Sequence, residues 1–155
     1  MQVHKASLLD ISTVLSLLAE MHQESELEDV NWNKVTHIVT DCISQGLVVV
    51  AVTDEGDVAG SIGGAVSSEW YSDLPLLGDY WFYVRTEFRT TPAAFKLIKV
   101  WKDIAKSGDL SIKMGHVLGE DIERKDKMFE KLGFEKLGSM YGKEKANGRS
   151  MPADS

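Results

Sequence analysis

The hydrophobic pattern of this chain changes its period near residue 46. In the segment 35–43 the apolar residues recur at helical spacing. From Leu47 to Val52 they form an unbroken, β-branched run, and Asp54–Asp57 has the composition of a hairpin turn. A returning strand is predicted over Val58–Ser68. Helices that give way to an antiparallel pair of strands favour a mixed α/β domain.

The rest of the chain alternates between the two patterns. The predicted elements are a strand at 2–6, helices at 11–21 and 35–45, strands at 47–52, 58–68 and 79–84, a helix at 95–107, a strand at 110–118, a helix at 120–132 and a strand at 134–143. Segments 24–33 and 69–78 have the composition of loops. The order β-α-α-β-β-β-α-β-α-β predicts a mixed sheet of about six or seven strands flanked by about four helices. We expect one domain over 1–145 and a polar tail over 146–155.

Charge is distributed unevenly along the 155 residues. Residues 1–84 carry 2 basic and 13 acidic side chains. Residues 85–113 carry 7 basic and 3 acidic side chains, and residues 114–155 carry 8 basic and 8 acidic ones. A basic segment in an acidic protein favours a local anion site over a nucleic-acid surface. A solvated, lysine-rich helix face explains the same charges equally well.

Composition and local pattern bear on the compartment of the protein and on whether it binds a membrane or a metal. Its apolar stretches are too short to span a bilayer, and its first residues lack a secretory pattern. Cys42 is the only cysteine, and its place on an apolar stripe predicts a core thiol rather than a nucleophile. The four histidines and this cysteine lack the spacing of metal ligands, so no metal is expected. We expect a cytoplasmic protein with no membrane partner.

The strand–helix junction at Tyr80–Ala94 has features of a phosphate site. A threonine at 90 or 91 can cap the helix, and Pro92 suits its first position. The free amides of the first turn attract anions, and small residues let a phosphate come close. The predicted loop consists of Arg89, Thr90, Thr91, Ala93 and Ala94. Any capped helix start gives a similar pattern, so an ordinary helix terminus is the alternative.

Several segments resemble motifs of the GNAT superfamily of N-acetyltransferases. Arg89–Ala94 resembles the family's loop Arg/Gln-x-x-Gly-x-Gly/Ala, and Val84–Phe88 resembles its "V-x-P-E-Y" approach. Phe129–Phe134 resembles "Y-E-K-L-G-F", and Tyr141–Glu144 resembles a "Y-x-K-E" ending. The likeness extends in matching order over residues 1–145 and is similar to a branch common in phage and prophage genomes.

This resemblance implies acetyl-coenzyme A as cofactor and an amine as acceptor. It implies that Thr90–Ala94 and Arg89 bind the pyrophosphate, and that a backbone N–H near Phe82–Val84 polarises the thioester carbonyl. The implied cofactor-binding residues are Trp81, Phe82, Tyr83, Val84, Arg89, Thr90, Thr91, Ala93, Ala94 and Phe129. A neutral amine then attacks directly, so positioning and removal of its proton are the main tasks.

Candidate catalytic residues are assigned from their positions along the predicted elements. Asp79 or Glu69, at the start of the fourth strand, is the expected general base, although a solvated turn carboxylate is the alternative. His116 lies near the expected cleft. Phe129 stands where relatives often place the tyrosine that protonates the thiolate, so Tyr141 becomes a substitute acid. Water can also serve.

The acceptor pocket in this family is bordered by the segments 22–33 and 69–79. The expected substrate-binding residues are His22, Glu24, Trp70 and Tyr71. Acidic residues crowd the first segment, which we expect to lie far from the basic stretch in the fold, and suit a cationic amine or a lysine-containing protein. A charged, solvated loop is the alternative. The acceptor is either a small molecule or a protein, and a homodimer remains open.

Two other functions are consistent with parts of the sequence. Pro92 replaces a loop glycine and Phe129 replaces the usual acid, which favours a catalytically silent module that binds coenzyme A or a protein. An enzyme acting on nucleic acid is disfavoured by the acidic first half, because phosphate contacts need clustered basic residues.

Overall fold

The computed structural model describes residues 1–25, 29–115 and 121–143, and the chain divides into two units, residues 1–118 and 119–155. The first unit contains β1 (Gln2–Lys5), α1 (Ile11–Glu24), α2 (Trp32–Ser44), β2 (Val48–Val52), β3 (Val58–Ser68), β4 (Pro75–Val84), α3 (Ala93–Ser107) and β5 (Ser111–Lys113). The second unit contains α4 (Ile122–Lys131). In the described residues, no helix combines the length and the apolar character needed to cross a bilayer.

The five strands form one mixed sheet in the order β1-β2-β3-β4-β5. The first three pairings are antiparallel, and β4 and β5 are parallel. A parallel pair needs a crossover connection, which α3 supplies between β4 and β5. The predicted fold class and the predicted order of elements are confirmed as far as α4, with five strands in the described residues instead of six or seven.

Local signals explain where the first helices begin and end. The Asn31 side chain accepts a hydrogen bond from the Lys34 backbone N–H at 3.0 Å and caps α2. Gly46, at φ +73°, ends that helix as predicted. Asp10 is the N-cap residue of α1, but its side chain makes no capping hydrogen bond to that helix. Ser7 and Asp10 form a reciprocal capping box on a short 3₁₀ turn that leads into the helix.

Helices cover both faces of the sheet. On one face, a buried cluster joins α1, α2 and the sheet; its members include Val14, Leu18, Val39, Ile43, Val48, Val50 and Trp81. Val49 and Ala51 alternate to the other face, where α3 packs with Leu97, Ile98 and Trp101 fully buried. Cys42 belongs to the first cluster, and burial, followed by the nearby Asp41, raises the pKa of its thiol. The prediction of a core thiol is confirmed.

Three predicted boundaries change. β4 begins at Pro75 rather than at residue 79, because proline is tolerated at the first position of a strand. The strand expected over 110–118 is confined to Ser111–Lys113, with residues 116–118 outside the described part of the chain. The strand expected over 134–143 is wrong. That segment has no regular secondary structure, and its Leu137, Met140 and Tyr141 are 76%, 90% and 96% exposed.

Candidate active site

The described pairing between β4 and β5 covers only the first part of β4. β5 pairs only with Leu76–Gly78, at the start of β4. From Asp79 to Val84 the described pairing of β4 is with β3. We term the other side of this stretch, roughly 17 Å long, the open edge; alternate residues of a strand direct their backbone N–H and C=O groups to that side. An extended ligand with amide groups can pair with such an edge as an added strand does.

A β-bulge lies where β5 stops pairing. Gly63 is opposite Trp81, whereas Gly64 is opposite Asp79, so Tyr80 is the additional residue on β4. A side chain at Gly64 would place its Cβ 1.9 Å from the Gly78 carbonyl oxygen, which is why the strands approach so closely only with glycine here. Bulges bend the strand that contains them, and here the bend coincides with the start of the open edge.

Asp79 is the titratable side chain at this bulge. Burial raises the pKa of its carboxyl to about 6, partly offset by hydrogen bonds from the backbone N–H groups of Asp79 and Gly115. A carboxylate with this pKa is mostly ionised at pH 7 but holds a proton far more readily than an exposed one. Perturbation of this kind at an open edge is typical of functional sites.

The second predicted base has a different environment. Glu69 forms an ion pair with Lys113 of β5, which raises the pKa of the lysine. Its carboxylate is thereby used to tie the β3–β4 connection to β5. The neighbouring Trp70 and Tyr71 are 93% and 67% exposed and meet edge to face at 5.4 Å between ring centroids. The structure thus places Asp79, rather than Glu69, beside the open edge with a base-like pKa.

At the other end of the open edge, three side chains form what we term the Glu24 cluster: Glu24, Tyr83 and Arg89. The Tyr83 hydroxyl donates to Glu24 Oε2 at 2.8 Å, and Arg89 Nη2 lies 2.7 Å from Glu24 Oε1. Arg89 Nε donates to the Val84 carbonyl at 3.0 Å, and its Cζ lies 5.6 Å from the centroid of the Tyr83 ring. Burial, then the hydrogen bond to Glu24, raises the pKa of Tyr83 to about 12.

The expectation that the acidic residues after α1 lie far from the basic segment is wrong for Glu24. The end of α1 packs near the end of β4, which brings Glu24 to Arg89 and Glu20 to within 3.0 Å of Arg85. Glu26 and Glu28 lie outside the described residues. Acidic and basic segments separated by more than 60 residues in sequence therefore meet at this end of the sheet.

α3 begins at Ala93, and Pro92, rather than a threonine at 90 or 91, is its N-cap. The Thr91 hydroxyl accepts from the Ala93 N–H at 3.4 Å, while Thr90 is exposed. The first amides of a helix have no intrahelical acceptor, which leaves those of Ala94 and Phe95 available to an anion.

The other predicted residues are placed as follows. His22 meets Trp32 edge to face at 5.7 Å, and its buried Nδ1 has no hydrogen-bond partner in the described part of the chain. Phe129 is 8% exposed in the second unit and contacts Phe134, whereas Tyr141 is almost fully exposed there. His116 lies outside the described residues. Within the described ranges, no group of three His, Cys, Asp or Glu side chains could hold a metal ion.

Sequence reasoning assigned Tyr83 and Arg89 to the cofactor and Glu24 to the acceptor, and missed that the three side chains touch. Glu24 is 59 residues from Tyr83 and 65 from Arg89, so no local periodicity could report the contact. The one available signal was charge: a helix ending in acidic residues and a basic segment after β4 favour each other.

Comparison with solved structures places the fold among N-acetyltransferases. The chain is similar to a ribosomal-protein-alanine N-acetyltransferase from Brucella melitensis biovar Abortus, with a TM-score of 0.68, 19% identity and coverage of 93% of this chain and 99% of that one. For an aminoglycoside 6'-N-acetyltransferase from Acinetobacter haemolyticus, the TM-score is 0.67 and the identity 16%, with coverage of 95% of this chain and 100% of that one. For a GNAT-family acetyltransferase from Listeria monocytogenes, the TM-score is 0.63 and the identity 19%, with coverage of 91% of this chain and 90% of that one. No family model matches the sequence, and no curated protein is significantly similar to it. The likeness is one of fold.

Proposed function

We propose that this protein is an N-acetyltransferase that transfers an acetyl group from acetyl-coenzyme A to a primary amine by direct attack. The observation that carries the proposal is that the described β4–β5 pairing ends at Gly78, at a bulge beside Asp79, on the strand that leads towards the first turn of α3. The same fold in solved acetyltransferases supports it. Membership of a branch common in phage genomes and a cytoplasmic location remain predictions.

The residues present fit a ligand that has an amide-bearing arm and phosphates. Backbone groups of β4 that point away from β3 beyond Gly78 can pair with the arm, and the amides of Ala94 and Phe95 can receive a phosphate. Bound acetyl-coenzyme A would supply the acetyl group as a thioester. Pro92 has no N–H to contribute, but as the N-cap it leaves the amides that follow it intact.

Asp79 is proposed as the general base. The cationic amine first loses a proton, which the Asp79 carboxylate accepts directly or through water, and becomes the neutral nucleophile. Attack then forms the N–C bond and breaks the C–S bond, and the nitrogen releases its second proton to water. The departing thiolate takes its proton from water, because a phenyl ring at Phe129 cannot donate one. Tyr141 is not required in this scheme, although it remains the candidate side chain for that role.

The acceptor is proposed to be a cationic primary amine. One of the similar structures is named an aminoglycoside acetyltransferase and another a ribosomal-protein-alanine acetyltransferase. Aminoglycosides and alanine both carry amino groups. In this chain, exposed Trp70 and Tyr71 provide aromatic faces that attract cations, and Glu24 and His22 border the other predicted wall. A small molecule and a protein N-terminus both satisfy this description.

Replacing Asp79 tests the mechanism. Asp79→Asn should lower the acetylation rate about 10²- to 10⁴-fold with little change in coenzyme A affinity, because it removes only the proton acceptor. The wild-type rate should rise with pH through about 6, the pKa of Asp79. The assay follows thiol release with an aminoglycoside and with a peptide that has an N-terminal alanine.

Glu69→Gln is the matched control and should retain most of the rate. If Asp79→Asn keeps the wild-type rate, Asp79 is not the base. Coenzyme A binding with no acetylation of any amine offered would favour the catalytically silent module instead.

A further inference from the structure

The guanidinium that the cofactor loop offers to a phosphate already has an anionic partner. Arg89 Nη2 lies 2.7 Å from Glu24 Oε1 and donates to Glu24 Oε2 at 2.8 Å, while Nε donates to the Val84 carbonyl. The edge formed by Nε and Nη2 is one of the two through which arginine can bind a carboxylate or a phosphate with two hydrogen bonds. In this structure that edge is used by the protein itself.

The geometry holds Glu24 in place from two sides. Its Oε2 accepts from both Arg89 and the buried Tyr83 hydroxyl, and Tyr83 lies under the guanidinium at 5.6 Å. The Glu24 and Arg89 side chains are nevertheless 27% and 30% exposed, so an anion from solvent can reach them. A phosphate that takes Nη2 must take it from the carboxylate, because two anions at one donor repel each other.

We propose that Glu24 is a positioning residue that competes with the phosphate of coenzyme A for Arg89. Without the cofactor, Glu24 holds Arg89 over Tyr83 at the end of β4. When the cofactor binds, Arg89 exchanges the carboxylate for the phosphate. Glu24 thereby lowers the affinity for the cofactor. This inference rests on the proposed function, since it requires that coenzyme A binds beside Arg89.

Removing the charge of Glu24 tests the competition. Glu24→Gln keeps the size of the side chain and an oxygen that can accept from Tyr83, but ends the ion pair. Titration calorimetry with coenzyme A at low salt should give an affinity about two- to fivefold higher than that of the wild type, the range expected for a partly exposed ion pair. The gain should shrink at high salt. Glu24→Asp, which retains the charge, should stay close to the wild type.

Glu20→Gln is the matched control. Glu20 lies one turn earlier on α1 and pairs with Arg85, outside the loop, so this variant changes the net charge equally without releasing Arg89. It should bind coenzyme A as the wild type does. In an Arg89→Gln background, Glu24→Gln should add nothing.

A purely structural role predicts the opposite sign, since loss of a supporting contact would misplace Arg89 and weaken binding. Equal or weaker binding by Glu24→Gln, or an equal gain in Glu20→Gln, would overturn the inference while leaving the proposed function standing. A wild type that fails to bind coenzyme A would refute both.

Discussion

Asp79 and Tyr83 lie four residues apart on the same strand, and burial raises the pKa of both. The consequences differ because the ordinary pKa of a carboxyl is much lower than that of a tyrosine hydroxyl. The Asp79 carboxyl moves to about 6, where it exchanges a proton near neutral pH, whereas Tyr83 moves to about 12 and stays protonated. Tyr83 therefore acts only as a donor to Glu24, and the group that can change its protonation state lies at the bulge.

Burial of Asp79 should make the folded protein less stable as the pH rises. Its pKa is raised from 3.8 to about 6 on folding, so the folded state binds more protons than the unfolded state between these values. The contribution to stability is thus greatest below about pH 4, decreases as the pH rises through about 6, and is constant above. Asp79→Asn should raise the free energy of unfolding at pH 7.5 by on the order of 1–3 kcal/mol.

Urea denaturation at pH 5 and pH 7.5 measures this difference for the variant and the wild type. Asp73→Asn, an exposed carboxylate in the preceding loop, is the control and should follow the wild type. The same pH slope in Asp79→Asn and the wild type would mean that the Asp79 carboxyl is solvated.

At the level of elements, β4 has two halves with different neighbours. Its first half pairs on both sides, with β3 and with β5, whereas its second half pairs with β3 alone in the described residues. The bulge at Tyr80 separates the halves, and glycines on both strands line it. A short β5 and a bulged β4 together create the open edge, which neither element would create alone.

The two glycines at the bulge should differ in their tolerance of a methyl group. Gly64→Ala would place Cβ 1.9 Å from the Gly78 carbonyl oxygen, so β3 and β4 must separate. Gly78→Ala would meet only Leu76 Cδ1, at 3.6 Å. We expect a loss of about 1–3 kcal/mol for Gly64→Ala, as for other overpacked sites, and less than about 1 kcal/mol for Gly78→Ala.

Thermal denaturation of both variants, with acetyl-transfer rates measured below the lower melting temperature, makes the comparison. Similar losses in the two variants would show that close approach at Gly64 is not what shapes the bulge.

At the scale of the whole molecule, acidic residues from the first part of the sequence form ion pairs with residues of the basic segment. The first 84 residues are strongly acidic, and the segment 85–113 is basic. In the structure Glu20, Glu24 and Glu69 pair with Arg85, Arg89 and Lys113. Three of the basic side chains are thus paired with acidic residues from earlier in the chain, and Arg89 is the one for which we propose that the cofactor competes.

Ligand binding should stabilise the molecule as a whole. Acetyl-coenzyme A at about 100 times its dissociation constant should add about 2.7 kcal/mol. For a chain of this length that corresponds to a rise in melting temperature of roughly 5–10 °C. S-acetylpantetheine, which lacks the phosphates, should give a smaller rise at equal concentration. Absence of any rise at millimolar acetyl-coenzyme A would contradict both the enzyme and the silent binding module.

The sequence by itself determined the identity and order of most elements. Helical and strand periods are local: residues two, three or four apart decide them, so Val35–Ile43 and Leu47–Val52 reveal their structure without any partner. Where such a pattern needed a distant partner, as in residues 134–143, the prediction failed.

Only the tertiary structure decided how far β5 pairs with β4, where the bulge lies, how burial shifts the pKa of Asp79, and which anion holds Arg89. Each of these depends on segments that are distant in sequence and come together only in the packed fold. Glu24 and Arg89 each carry a charge that the sequence displays, but their 2.7 Å separation exists only because α1 and the end of β4 meet on one face of the sheet.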